Sequence, residues 1–160
     1  MVTAGSTSRF FNAVSDILRR PSMRVVTRTV SALHALAYRA TSGKAQNPKY
    51  PTMLLTVTGR KTGRPRTVPL IYVKDGERFV IAAAYSGSDT DPAWWLNLRT
   101  NPRAELQVLD STVTVEASQA SSDARPELWF RLVQMYPYFR DYEGRTDREI
   151  PVVILTPVTS

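Results

Sequence analysis

Four cationic side chains, Arg60, Lys61, Arg64 and Arg66, fall within seven residues of the segment Gly59-Arg60-Lys61-Thr62-Gly63-Arg64-Pro65-Arg66. Guanidinium and ammonium groups this dense suit a phosphate or carboxylate ligand, through charge-assisted hydrogen bonds. Backbone amides at Thr62, Gly63 and Arg64 would add donors if the loop presented them outward. The competing reading is a solvated basic turn, and composition by itself leaves both open.

Two aromatic groups follow. Pro92-Ala93-Trp94-Trp95-Leu96-Asn97-Leu98 places Trp94 and Asn97 three residues apart, on one face of a short helix. That pair could stack on a ring and hydrogen-bond it, or Trp94 and Trp95 could both be core anchors. Tyr136-Pro137-Tyr138-Phe139-Arg140-Asp141-Tyr142 reads as an aromatic loop, able to line an apolar cavity with phenolic hydroxyls at its rim.

Other chemistries are poorly supplied. There is no cysteine, which excludes disulfides, thiolate ligands and a Cys nucleophile, and the single histidine, His34, excludes a multi-histidine metal site. Lys61-Thr62 fails the P-loop pattern, because Arg60 and Leu55 stand where glycines are required. No Rossmann fingerprint and no Ser-His-Asp set can be assembled.

The elements that must position these residues are mostly strands. Apolar runs at 52–58 and 67–74 flank the cationic loop and read as a β-hairpin with the charge at its tip. Asp75-Gly76 then signals a second hairpin into a strand at 78–84. A short helix is expected at 92–99, with Asp91 as N-cap and Pro92 in its first turn. Strands at 104–109 and 112–117, a helix at about 122–136 and a strand at 150–155 complete the pattern. Six short strands without a βαβ rhythm predict a mainly β, α+β architecture built on an antiparallel split barrel.

At 160 residues, 42% hydrophobic and 22% charged, the chain falls in the ordinary soluble globular class. No apolar run approaches the roughly 20 residues that span a bilayer. Met1–Ser8 is small and polar, without the apolar core of a signal peptide. The expected location is the cytoplasm.

Charge divides the chain. Residues 1–50 hold eight Lys or Arg against one acid, a net +7 equal to that of the whole protein; residues 51–160 hold thirteen of each sign. The high pI therefore belongs to an N-terminal helical extension, 1–50, separable from a barrel domain, 51–160. A neutral barrel lacks the basic field that nucleic acid would need. Within the extension, helices are expected at 9–20 and 22–40, interrupted at Pro21, with Leu33, Leu36 and Ala37 in the second apolar stripe. Arg20, Arg24 and Arg28 lie on another face. Such a helix either meets an anionic membrane surface at the inner face of the cell membrane or packs its stripe on the barrel.

Taken in order, Thr58–Arg66, Asp91–Leu98, Met135-Tyr136-Pro137 and Thr146-Asp147-Arg148-Glu149-Ile150-Pro151 form a familiar series. From about residue 50 to 157 the chain resembles the deazaflavin-dependent nitroreductase family of actinobacteria, whose cofactor is coenzyme F420. The resemblance implies a six-stranded split barrel related to oxidoreductases that bind flavin mononucleotide (FMN). It also implies an F420H2-dependent reductase acting on a quinone, a conjugated enone or a nitro compound. By position, Arg60, Lys61, Thr62 and Arg66 match the family's anion-binding loop. Thr67, Val68, Pro69, Leu70 and Ile71 match the strand along the ring system. Ala82, Ala83, Ala84 and Tyr85 match the strand end facing the deazaflavin, and Ala93, Trp94 and Asn97 the helix that closes over it. Tyr136, Phe139 and Tyr142 match substrate-pocket aromatics, with Tyr136 as the implied proton donor. Ile71, Ala84 and Phe139 stand where the pattern carries hydroxyls, which implies a less polar pocket that favours quinones or enones over nitro compounds. The alternatives are a non-catalytic binder of F420 or another anionic tetrapyrrole-like ligand, and an FMN-dependent oxidoreductase of the same fold.

Overall fold

The computed structural model describes residues 32, 33, 35–41, 43 and 49–158. The expected helix at 9–20, Arg20, Arg24, Arg28 and His34 lie outside the described residues.

The strands are β1 (Thr52–Thr58), β2 (Pro65–Ile71), β3 (Val73–Asp75), β4 (Arg78–Ala82), β5 (Arg103–Val108), β6 (Ser111–Gln119) and β7 (Val152–Pro157). They form one antiparallel sheet in the order β2-β1-β5-β6-β7-β4-β3. Its two edge strands, β2 and β3, are separated in the chain by Tyr72 alone, so the sheet must curl until its edges meet there. That is a split barrel. The strand count is seven rather than six, because the run expected at 67–74 changes partner in its middle. Up to Ile71 it pairs with β1, and from Val73 it pairs with β4. Hydrophobic alternation continues through such a switch, and the pattern carries no mark of which strand is the neighbour.

Period-two alternation sorts the strand side chains onto two faces. Met53, Leu55 and Val57 of β1, Val68 and Leu70 of β2, Ile81, Leu106, Val115, Val153 and Leu155 fill the barrel interior. The helix α1 (Ala93–Thr100) closes that interior with Trp94, Trp95 and Leu98. Both tryptophans are therefore core anchors. On the opposite face, Val80, Ala82, Ala84, Val152 and Ile154 are covered by α2 (Arg125–Met135) and α3 (Tyr138–Glu143).

Three local expectations change. Pro92, not Asp91, is the N-cap of α1, because the Asp91 carboxylate is engaged by Arg148 at 3.0 Å and Arg99 at 3.7 Å. The aromatic stretch expected to be a loop contains α3. Pro137 ends one helix and starts the next, and crowded aromatics hide the helical spacing that faces Phe139 and Tyr142 inward. Finally, the extension docks on the barrel by a face other than its apolar stripe. Tyr38 is 3% exposed; its hydroxyl donates to the Thr52 carbonyl and accepts from the Leu109 amide, each at 2.9 Å. Ala35 and Tyr38 cover Leu54, whereas Leu33 and Leu36 point away, at 62% and 64% exposure. A boundary at residue 50 thus runs through packing contacts.

Candidate functional site

The hairpin tip is tightly wound. The Gly59 amide donates to Arg64 O at 2.9 Å, and the amides of Thr62 and Gly63 return to Gly59 O at 3.2 and 2.7 Å. Gly63 sits at φ +66, a conformation that favours glycine. Arg64 N turns to Thr62 Oγ1 at 3.4 Å. The amides expected to greet an anion are therefore spent inside the turn, which leaves that task to side chains. Those are available. Lys61, Arg64 and Arg66 are exposed, and among the described residues none of the three lies in an ion pair. By contrast, Arg78, Arg99, Arg125, Arg131 and Arg148 are each matched with a carboxylate.

Arg60 is tied down. Its backbone N–H and its Nη1 both donate to Asn97 Oδ1, at 3.2 and 3.0 Å. Asn97 is the buried polar residue of the described core, 6% exposed, and its side chain locks the hairpin tip to α1. It is thus an anchor for the cationic loop. Ala93, on the same helix, is exposed.

From the tip, β2 runs as an edge strand and leaves backbone groups unpaired on its outer side. Thr67, Pro69 and Ile71 alternate with Val68 and Leu70, whose side chains belong to the barrel interior. Thr67 Oγ1 meets Thr56 Oγ1 at 2.9 Å and accepts from Arg39 at 3.3 Å. Ile71 leads directly into the other part of the site. Ile71, Ala84, Tyr136, Phe139 and Tyr142, separated by up to 71 positions in the chain, share one hydrophobic cluster with Ala82. All five expected substrate-pocket residues are therefore brought together. Ala83 is buried on the other face, and Tyr85 is 43% exposed.

Tyr136 is the hub of this cluster. Its ring lies 5.1 Å from those of Tyr50, Tyr138 and Phe139 and 6.4 Å from that of Tyr142. Burial first, then a hydrogen bond with Tyr142, holds its phenol well above the ordinary range, so it stays protonated at neutral pH. Tyr50 was not expected here. It sits alone in a Pro-punctuated connector, and nothing in its local pattern marks an aromatic contact 86 positions away.

Arg148 is the other residue missed. Its Nε donates to Ser88 O at 2.7 Å, its Nη1 to Asp91 at 3.0 Å, and its Nη2 to the carbonyls of Ala83 and Ala84 at 3.0 and 3.1 Å. One guanidinium thus holds the whole β4–α1 connection. Opposite charges at Asp91 and Arg148 were the available signal, but 57 positions separate them.

Among the described residues, no helix is long and apolar enough to cross a membrane. Two surface grooves lie elsewhere. One runs along Thr56, Thr58, Pro65, Arg103 and Glu105, the other along Glu116, Ser118 and Thr156. Both are open, shallow features of the outer sheet surface, and neither reaches the aromatic cluster.

Three kinds of comparison with known proteins agree. The model of the F420H(2)-dependent quinone reductase family matches residues 29–157. An F420H(2)-dependent quinone reductase of Mycobacterium tuberculosis is 35% identical over 130 residues, covering 78% of this chain and 87% of that protein. A solved F420-H2 dependent reductase superposes with a TM-score of 0.61 at 33% identity, over 66% of this chain and 93% of that one. A second solved structure, described as a domain-swapped dimer, matches with a TM-score of 0.64 at 28% identity, over 85% of this chain and 99% of its own.

Proposed function

The chain belongs to the F420H(2)-dependent quinone reductase family, oxidoreductases that use coenzyme F420, and on that premise we propose a division of labour between the two ends of β2. The hairpin cations Arg60, Lys61 and Arg66 hold the phosphate and glutamate tail of F420. The outward residues Thr67, Pro69 and Ile71, with the exposed Tyr85 and the strand end that carries the buried Ala82 and Ala84, border its ring. Reduced F420 supplies the hydride when bound, so the protein needs to bind, orient and keep water out rather than provide a nucleophile. The observation that carries this reading is the unmatched charge at the tip. Beside the site, Arg99 and Arg148 are paired with Asp91 and Arg60 is bonded to Asn97, whereas among the described residues Lys61 and Arg66 lie in no ion pair, as a polyanion site requires.

At the far end, the substrate is a quinone. Ile71, Ala84 and Phe139 give that cluster an apolar wall without hydroxyls, which suits a flat carbonyl compound better than a nitro group. Tyr136 donates a hydrogen bond to the substrate oxygen as negative charge develops there. Its phenol is protonated at neutral pH, as that donation requires. Titration with F420 and with FMN, followed by fluorescence, tests the cofactor assignment: F420 binds tightly and FMN does not. Oxidation of F420H2 with menadione and with a bicyclic nitroimidazole tests the pocket. Equal rates on the two acceptors would refute the apolar-pocket reading, and binding without turnover on either would make the protein a carrier.

A second proposal concerns the extension. Leu33 and Leu36 stand exposed on a helical segment anchored by Tyr38, and the segment before them carries most of the chain's excess positive charge. Together they support peripheral attachment to an anionic membrane. Sedimentation with anionic vesicles, but not with neutral ones, is the expected result.

A further inference from the structure

The β4–α1 connection carries three consecutive residues with left-handed backbone, Tyr85 at φ 44, Ser86 at φ 54 and Gly87 at φ 76. Only the last is a glycine. Side-chain-bearing residues hold this conformation at a cost and keep it where surrounding contacts over-determine it. Two contacts do so here. Behind the loop, the Arg148 side chain, 16% exposed, bonds to the carbonyls of Ala83, Ala84 and Ser88 and to the Asp91 carboxylate. In front, Gly87 abuts α3 so closely that a Cβ there would lie 2.6 Å from the Tyr142 carbonyl oxygen. The loop is thus fixed between a guanidinium fork and the helix that carries Phe139 and Tyr142.

We infer that Arg148, with Asp91 as its counter-ion, is a positioning residue that sets the spacing between Ala84–Tyr85 and the aromatic side chains of Tyr136, Phe139 and Tyr142, and so determines which quinones fit. Arg148 touches neither cofactor nor substrate in this scheme. It acts by holding the backbone of one wall. The inference rests on the aromatic cluster being the quinone pocket, as proposed above. Ala84 and Tyr85 also border the proposed site of the F420 ring, so cofactor affinity is read alongside; the charges assigned to the F420 tail lie on the hairpin and not on this loop.

Arg148→Lys is the direct test. It keeps the charge, but one ammonium cannot reproduce a planar fork that serves four acceptors at once. The readouts are F420 affinity, thermal stability, and the ratio of kcat/KM for a slim benzoquinone against a broader naphthoquinone. A purely structural loss lowers stability but moves both substrates equally, so the ratio isolates the pocket. The expected result is an F420 Kd weakened by about fivefold at most, since only ring contacts at Ala84–Tyr85 move and the tail's charge contacts are untouched, and a ratio shifted about tenfold, the scale of sub-ångström misplacement in a site. Asp91→Asn, which retains an acceptor oxygen but not its charge, should shift the ratio the same way by less, and it carries the test if Arg148→Lys does not fold. Arg131→Met serves as control. Arg131 bonds Asp75 and the Lys74 carbonyl on β3, so its loss lowers stability and leaves the ratio alone. An unchanged ratio in both Arg148→Lys and Asp91→Asn, with Phe139→Leu shifting it, would overturn the inference while leaving the pocket in place. An unchanged ratio in all three would refute the pocket assignment itself, and the inference with it.

Discussion

Replacing Lys61 or Arg66 by alanine should separate cofactor binding from turnover. Both side chains are exposed and lie in no ion pair among the described residues, so removing either leaves no carboxylate stranded in the free protein. What is lost is a charge-assisted hydrogen bond to the tail of F420, about 1.5–3 kcal/mol in general. Exposure and salt put this site at the lower end, about 1.5 kcal/mol or roughly tenfold in Kd per residue. The effect on chemistry is worked from the strand. Arg66 and Ile71 lie at opposite ends of β2, about 17 Å apart at the usual strand rise. Two unit charges at that distance in a water-like medium interact by about 0.2 kcal/mol, and a Debye length of about 8 Å screens most of it. Turnover at saturating F420H2 should therefore stay within about 1.5-fold of wild type. Arg64→Ala, for which no contact with F420 is proposed, should weaken binding less. Arg60→Ala should both weaken binding and lower stability by about 1 kcal/mol, because Asn97 loses one of its two donors and keeps the backbone one. The assay is fluorescence titration of F420 at low and high salt, followed by steady-state oxidation of F420H2 with menadione. Salt-independent binding with equal, small effects of all four substitutions would refute the reasoning, as would a fall in turnover at unchanged affinity.

The other expectations can be checked on the same preparations. Tyr136→Phe should lower turnover with menadione, and the wild-type rate should show no alkaline loss from this group up to about pH 10, because its raised pKa retains the proton; a rate falling near pH 8 in wild type but not in the variant would contradict this. Asp75 is held below the ordinary carboxylate range by hydrogen bonds from Arg131 and then Arg78, so its contribution to stability is present above about pH 4 and lost as pH falls through the lower folded value. Asp75→Asn should accordingly be less stable than wild type at neutral pH, with the gap closing in acid; a gap that widens in acid would reverse the sign. A chain beginning at residue 45 lacks Tyr38 and should lose about 2–4 kcal/mol of stability, whereas one beginning at residue 32 retains it. Equal melting temperatures for the two would show that the docked segment contributes nothing.

Much of the barrel was legible because strand alternation is a local property. The hairpin, the Asp75-Gly76 turn, α1, α2 and the last strand all follow from turn chemistry and from which residues must face inward at period two or 3.6. The cationic tip was equally plain, since four cations crowd into seven residues and no acid lies between Asp16 and Asp75. Tertiary structure decided where contact depends on partners far apart. Tyr72 marks the change from β1 to β4, and only the closed sheet reveals it, because alternation records a face and not a neighbour. Asp91 looked like a helix cap until Arg148 arrived from another element to claim its carboxylate. The loop amides looked free until the turn folded them back onto Gly59, since intraturn hydrogen bonds form where geometry permits and leave no trace in residue type. Tyr50 reached Tyr136 through a connector with no periodicity at all. Residue types and spacing thus carry the charge of the hairpin tip and the polarity of the aromatic cluster, whereas the shape of that cluster depends on long-range hydrogen bonds and ring contacts that exist only once the sheet has curled.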